Sequence, residues 1–324
     1  MLKEGNMWRW LKVTILVTLA LALAGVGCKS RGEPLPAGSS ATLVVARDFG
    51  REVVLSEGVE LARTMSAMDM LKEAAAVEIA YGGGFVNAIN GIRSHYTATR
   101  SAKDDWFLYI NGISAKTGAH DYTIRPGDVE RWDFHHWGYR SFVPALIGDF
   151  PEPFIHGYRG KVYATVVVYE QSFKEEAEAL RDELTELGVN EVSTVETGAL
   201  SGNDKAHSNL ILLGTMDSPL IAKLDEIYRK LGFFARFKDG RLQALDTKGH
   251  VAAEYGPGVG IIQATQSPWN PDGVGASKNV VWMVSGVDEA GVRNAAQALI
   301  NRHDEMRHLF AAIVAGEEII MVPQ

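Results

Sequence analysis

From residue 42 to 134 the chain reads as short runs in which apolar and polar positions alternate; past residue 160 it changes to longer apolar runs separated by helical stretches. In the first region, residues 42–49 and 52–55 flank Gly50 as a predicted hairpin. Ser66 followed by Asp69 opens a predicted helix to Ala75 in capping-box style, hydroxyl and carboxylate each satisfying a first-turn amide. Strands are predicted at 77–81, 85–89, 106–110 and 128–134. The Asn111-Gly112 and Pro126-Gly127 pairs mark turns, since these residues tolerate the backbone angles a tight reversal needs. Strands followed by one helix and more strands imply a compact α+β sheet with the helix laid on one face.

The second region alternates differently. Residues 162–169 form a near-continuous β-branched run, and 172–187 follow with Phe173, Ala177, Leu180 and Leu184 at helical spacing before Gly188. The pattern recurs with a strand at 209–213 before a helix at 218–231, and a strand at 280–284 before a helix at 288–300; residues 233–255 read as a hairpin insertion. Buried runs separated by helices predict an α/β doubly wound domain of Rossmann or flavodoxin type. The Pro- and Gly-rich stretch at 148–160 places a junction between a domain at 42–150 and one at 160–324.

The amino terminus adds a different signal. Lys3, Arg9 and Lys12, against Glu4, precede an uncharged apolar run at 13–26, the layout of a secretory signal peptide over residues 1–27. Cys28, the single cysteine in 324 residues, follows Gly25 and Gly27 and resembles a bacterial lipobox, with Gly25 where leucine is usual. Lipidation of Cys28 and a flexible tether at 28–41 are therefore expected, placing the chain at the outer face of the bacterial cytoplasmic membrane. A lone cysteine forms no internal disulfide, so stability must come from packed cores, for which 46% hydrophobic residues suffice. The formal charge of −8 becomes more negative once the signal is removed, which argues against nucleic acid as a partner.

The segment from Asp104 to Phe134 resembles a bacterial family of unassigned function related to the C-terminal domain of transcobalamin and intrinsic factor. Trp106, Asn111, Gly112, Gly127, Asp128 and Trp132 carry the likeness, which extends more weakly over 42–150. The resemblance implies a β-grasp-like fold and, as ligand, a corrinoid; nothing here is similar to the helical barrel that completes the carriers' site. The runs at 209–214 and 284–299 resemble α/β modules of envelope and surface-layer proteins.

Ligand-binding candidates gather where the last strand of the first region runs out: His135, His136, Trp137 and Tyr139, joined by Trp106, Tyr109 and Trp132. Aromatic faces with an imidazole suit a large flat ligand or one carrying a metal centre. Neighbouring residues of a strand face opposite ways, so His135 and His136 chelate one ion together only if the strand has ended. Core packing is the simpler role for Trp106 and Trp132, a turn for Asn111 and Gly112, and the interdomain seam for Trp137 and Tyr139. Gly82-Gly83-Gly84 and residues 256–260 lack the Lys and helix start of a phosphate loop, and 265–271 reads as a loop at a strand end. His303 and His308 read as a solvated helix face. With no nucleophile, metal-ligand or hydrolase motif, the chain is expected to be a binding protein without catalytic residues, metal or cofactor. Its expected partners are the membrane, a small ligand and a transporter or envelope protein; the rival expectation is an envelope interaction module.

Overall fold

The computed structural model describes residues 32–80, 85–95 and 103–324. Cys28, the preceding signal and the 82–84 glycines lie outside them. The first region contains β1 (Ser40–Arg47), β2 (Glu52–Glu60), β3 (Met65–Ser66), α1 (Ala67–Ala74), β4 (Val77–Ala80), β5 (Phe85–Ile89), β6 (Ile92–Arg93), β7 (Asp104–Ile110), β8 (Ile113–Ser114), β9 (Thr123–Ile124) and β10 (Val129–His136). Its main sheet has the order β2-β1-β10-β7-β8. The central β1 and β10 run parallel, and each has an antiparallel neighbour on its outer side. The Ser66 hydroxyl and Asp69 carboxylate form the expected reciprocal cap on α1, and Met68, Met70 and Leu71 are buried among Leu43, Val45, Trp106 and Trp132.

Register explains what the other face must bury. Trp106 pairs with Phe134 and Leu108 with Trp132, while Phe107 pairs with Asp133 and Tyr109 with Arg131. Because side chains alternate, one face of β7 and β10 is apolar and packs in the core with α1, whereas the other carries Arg131, Asp133 and His135. That second face is closed by the carboxy-terminal half. Phe310 meets Phe49 and Tyr109 edge-on at 5.3 and 5.4 Å, and the buried Arg131 guanidinium is paired with Asp149 and lies 3.2 Å from Nδ1 of His308.

The second half comprises β11 (Thr165–Tyr169), α2 (Lys174–Glu186), β12 (Val192–Glu196), α3 (Gly202–His207), β13 (Asn209–Thr215), α4 (Pro219–Glu226), β14 (Ala235–Lys238), β15 (Arg241–Leu245), β16 (Val251–Tyr255), β17 (Val259–Gln266), β18 (Val280–Gly286), α5 (Glu289–Asn301), β19 (Ala311–Ala315) and β20 (Glu318–Val322). A seven-stranded sheet runs β12-β11-β13-β18-β17-β19-β20. The strands β12, β11, β13 and β18 are parallel, as alternation with helices predicts; β17, β19 and β20 pair antiparallel, so the sheet is mixed. Helices α2 and α5 bury Leu180, Leu184, Val292 and Leu299 on one face; α4 and the small β14-β15-β16 sheet contribute Leu220, Leu224 and Leu242 to the core on the other.

Three sequence expectations need correction. Thr265 and Gln266 belong to the buried strand β17, not to a loop; polar Gln263, Thr265 and Gln266 hide it from a reading that looks for apolar runs. Helix α4 ends at Glu226 rather than 231, and the chain then turns through Gly232 at φ 77°. His308 does not lie on a solvated helix: it follows a short 3-10 turn at His303–Met306, takes φ 72°, and packs against the β1–β2 turn, where a Cβ on Gly50 would sit 1.8 Å from its carbonyl oxygen. Residues 148–160 are packed into the structure rather than loose. Asp149, Glu152 and Phe154 are buried, and Asp149 accepts the Gly112 amide at 3.0 Å.

Candidate functional site

The seven predicted ligand residues do not share one pocket. Trp106 and Trp132 lie in the core beside α1, their indoles donating to Ile92 O at 3.1 Å and to Glu130 Oε1 at 2.6 Å. Tyr109 and His135 are buried on the opposite face. The His135 ring is sandwiched between Phe49 and Phe107, with centroids 4.2 Å away on each side, and its Nδ1 meets Asp133 at 2.7 Å. The same carboxylate accepts the Phe49 and Gly50 amides at 3.1 and 2.9 Å, tying the β1–β2 turn to β10. These four residues are packing groups first.

His136, Trp137 and Tyr139 keep exposed surface, and they diverge. The Tyr139 ring turns toward the second half, against Gly249 and Phe234. Trp137 has the Lys103 ammonium 5.4 Å from its ring centroid. His136 ends β10 directly opposite Asp104, the first residue of β7. Since β10 continues through His136, the two histidines face opposite sides of the sheet, and His135 and His136 cannot bind one ion together.

A cleft of about 280 Å³ opens at this strand end, lined by Arg47, Asp48, Glu52, Asp104, Phe134, His135 and His136. Its organising group is Asp104, which sequence reading missed. One oxygen meets Nδ1 of His136 and the other Nδ1 of His95, both at 3.0 Å. Partial burial alone would raise the Asp104 pKa, but the two imidazole contacts outweigh it and hold the carboxyl below its ordinary value. An ionised Asp104 accepts from Nδ1–H of each ring and so turns each Nε2 away from the carboxylate. Gly138 sits beside Nε2 of His136, where a Cβ would lie 2.4 Å away, so a larger residue there would cover that nitrogen. Among the described residues no cluster of three or more His, Cys, Asp or Glu side chains could hold a metal ion.

The residues carrying the family likeness build structure. Asn111, at φ 51°, donates to Asp128 at 2.8 Å and to Gly157 O at 2.6 Å, and accepts the Val129 amide at 2.7 Å. Asp128 also receives the Tyr122 hydroxyl and the Arg125 amide. This buried latch ties the β7 turn, the entry to β10 and the junction together.

Residues 65–136 match a family described as Domain of unknown function (DUF4430), a range containing α1, β3 to β10 and all six motif residues. No curated protein matches the chain. Among solved structures, a protein from Ruminococcus gnavus ATCC 29149, described as a candidate metal-binding protein, is 15% identical, with a TM-score of 0.25, over 30% of this chain and 97% of its own. Haptocorrin in complex with Cbi is 16% identical, with a TM-score of 0.24, over 34% of this chain and 29% of its own.

Proposed function

We propose that this chain is a non-enzymatic binding protein, anchored through a lipid on Cys28 to the outer face of the bacterial cytoplasmic membrane, that captures a corrinoid for uptake or sensing. The observation that carries the ligand reading is the His136–Asp104–His95 arrangement at the mouth of the strand-end cleft. A carboxylate on Nδ1 orients the imidazole so that Nε2 points away from it, which is what holding a metal carried by another scaffold would require. If a corrinoid is bound, His136 would hold its cobalt through Nε2 and Trp137 would offer an apolar ring to it. The cleft, at about 280 Å³, is small for a whole corrinoid, so it would hold only part of one.

The reading takes residues 42–150 as a β-grasp domain, supported by the central parallel β1–β10 pair with antiparallel strands outside it. Residues 160–324 are taken as a Rossmann- or flavodoxin-like domain, supported by the parallel β12-β11-β13-β18 strands with helices on both faces. Among the described residues no helix is long and apolar enough to cross a membrane. Attachment is assigned to Cys28, where two acyl chains at about 0.8 kcal/mol per buried methylene suffice.

Titrating the full-length chain in detergent with cobinamide and cobalamin, read by the visible spectrum and tryptophan fluorescence, tests the ligand. A saturable spectral shift is expected for wild type and its loss for His136→Ala; no saturable change with either compound removes the corrinoid reading. Cys28→Ser should abolish palmitate labelling and leave an unprocessed precursor, and equal labelling of the mutant would refute the anchor.

A further inference from the structure

We propose that a second cleft, between residues 139–142 and Arg229–Lys230, binds the phosphate group of a small phosphate monoester. This cleft, of about 450 Å³, is lined by Tyr139, Arg140, Ser141, Phe142, Arg229 and Lys230. That volume lies in the range of small-molecule sites, roughly 300–1,000 Å³. It is separate from the His136 cleft, shares no lining residue with it, and stands or falls independently of the corrinoid reading.

The central observation is Arg140, which is only 5% exposed. Its Nε and Nη2 donate to the Phe233 carbonyl at 3.3 and 2.9 Å, and Nη2 also donates to the Tyr139 hydroxyl at 3.2 Å. The guanidinium carbon lies 3.9 Å from the Tyr139 ring centroid, 5.3 Å from that of Tyr228 and 5.5 Å from that of Phe234. These contacts fix the fork in place, yet none of them brings a negative charge. Burial accordingly pushes the Arg140 pKa below its ordinary value. A buried charge is costly unless it is paired, and ring faces offset only part of that cost.

Other cations deepen the imbalance instead of relieving it. Arg229 Nε and Arg236 Nη1 both donate to the Tyr228 hydroxyl, at 3.2 and 3.0 Å. Burial works against ionisation of the Tyr228 phenol, but the hydrogen bond from Arg229 and the surrounding guanidinium groups hold its pKa below the ordinary value overall. Among the described residues, Arg140, Arg229, Lys230 and Arg236 form no ion pair, although the chain has 40 acidic against 32 basic residues. Arg236 donates through Nε to Gln243 Oε1 at 3.0 Å, and Gln243 in turn donates to Glu254; Asp225 accepts the Phe237 amide at 2.8 Å and feels Arg236 only through space.

Arginine's planar fork matches phosphate oxygens, and a phosphate monoester carries about −1.5 to −2 charges at pH 7, which suits three lining cations. A monocarboxylate would leave more of that charge unbalanced. The overall charge of −8 disfavours an extended polyanion, so the ligand is a small one that enters the cleft.

Isothermal titration of the full-length chain in detergent with phenyl phosphate at low ionic strength tests the site, with phenol as the uncharged comparison. Saturable binding of phenyl phosphate alone is expected. Arg229→Gln and Lys230→Gln alter exposed side chains and should leave the thermal midpoint unchanged, yet each should weaken binding by about tenfold, the loss expected for one charged contact. His136→Ala should bind phenyl phosphate as wild type does. Absence of saturable binding to folded wild type, equal binding of phenol, or unchanged affinity in both charge variants would overturn the proposal.

Discussion

His135 and His136 are neighbours in the chain and opposites in the fold. His135 lies on the face of β10 that meets the second half, stacked between two phenylalanines and bonded to Asp133. His136 lies on the other face at the strand end, half exposed, bonded to an Asp104 that also holds His95. Each imidazole has a carboxylate on Nδ1, so that feature alone does not make a site. What separates them is access: the His135 ring is covered by aromatic groups, whereas His136 is half exposed and the residue beside its Nε2 is Gly138, which carries no side chain. A histidine beside an acid becomes a candidate ligand where the strand runs out, and a packing element one residue earlier.

The buried face offers the largest way to break this comparison. Asp149→Ala strips the carboxylate from the buried Arg131 and from the Gly112 amide, and should cost about 3–5 kcal/mol, since an unpaired charge remains inside. Urea unfolding should show the loss; a change below about 1 kcal/mol would mean that Arg131 finds water or another partner.

The two histidines themselves give the next contrast. His135→Ala removes a ring packed on both sides and should destabilise by about 2–4 kcal/mol. His136→Ala, at the rim, should change stability by no more than about 0.5 kcal/mol while removing the cobinamide spectral shift. Equal destabilisation by the two would erase the distinction drawn between the faces.

The remaining effect concerns Asp225, which lies near Arg236, and sharpens the same point about burial. Burial raises the Asp225 carboxyl pKa from 3.8 to about 6, the Phe237 amide and the Arg236 charge offsetting only part of it. The folded state therefore holds the proton more tightly than the unfolded chain, and this group's penalty on stability is absent below about pH 4 and grows as pH rises through 6. Asp225→Asn, which keeps an acceptor for the amide, should be more stable than wild type by about 1 kcal/mol at pH 7.5, after discounting for partial exposure, and equal to it near pH 4. Chemical denaturation at the two pH values checks this; a constant difference would remove Asp225 as its source.

Much of this was legible from local pattern. Alternation located β1, β7 and β10, Ser66 and Asp69 located the start of α1, and helical spacing of Ala177, Leu180 and Leu184 picked the buried face of α2. Each of these is decided within a few residues, where backbone geometry and a nearby core dictate which positions are apolar. The β19–β20 hairpin and β17 were not legible. Their strands are short or polar-rich, and their partners decide their structure.

The residues worth testing divide the same way. The sequence by itself placed His135 and His136 where a strand runs out and left open whether they share a side; the pairing of β10 with β7 through His136 turns them to opposite sides, because a strand alternates. Only the tertiary structure decided which of them remains accessible, by setting Phe310 and the second half against one face of the sheet. It also joined Asp104 to both His95 and His136, and laid Arg140 beside Arg229, pairings across up to 89 positions that no local period encodes. Access and charge balance depend on what packs across from a residue, and chain separation carries no information about that.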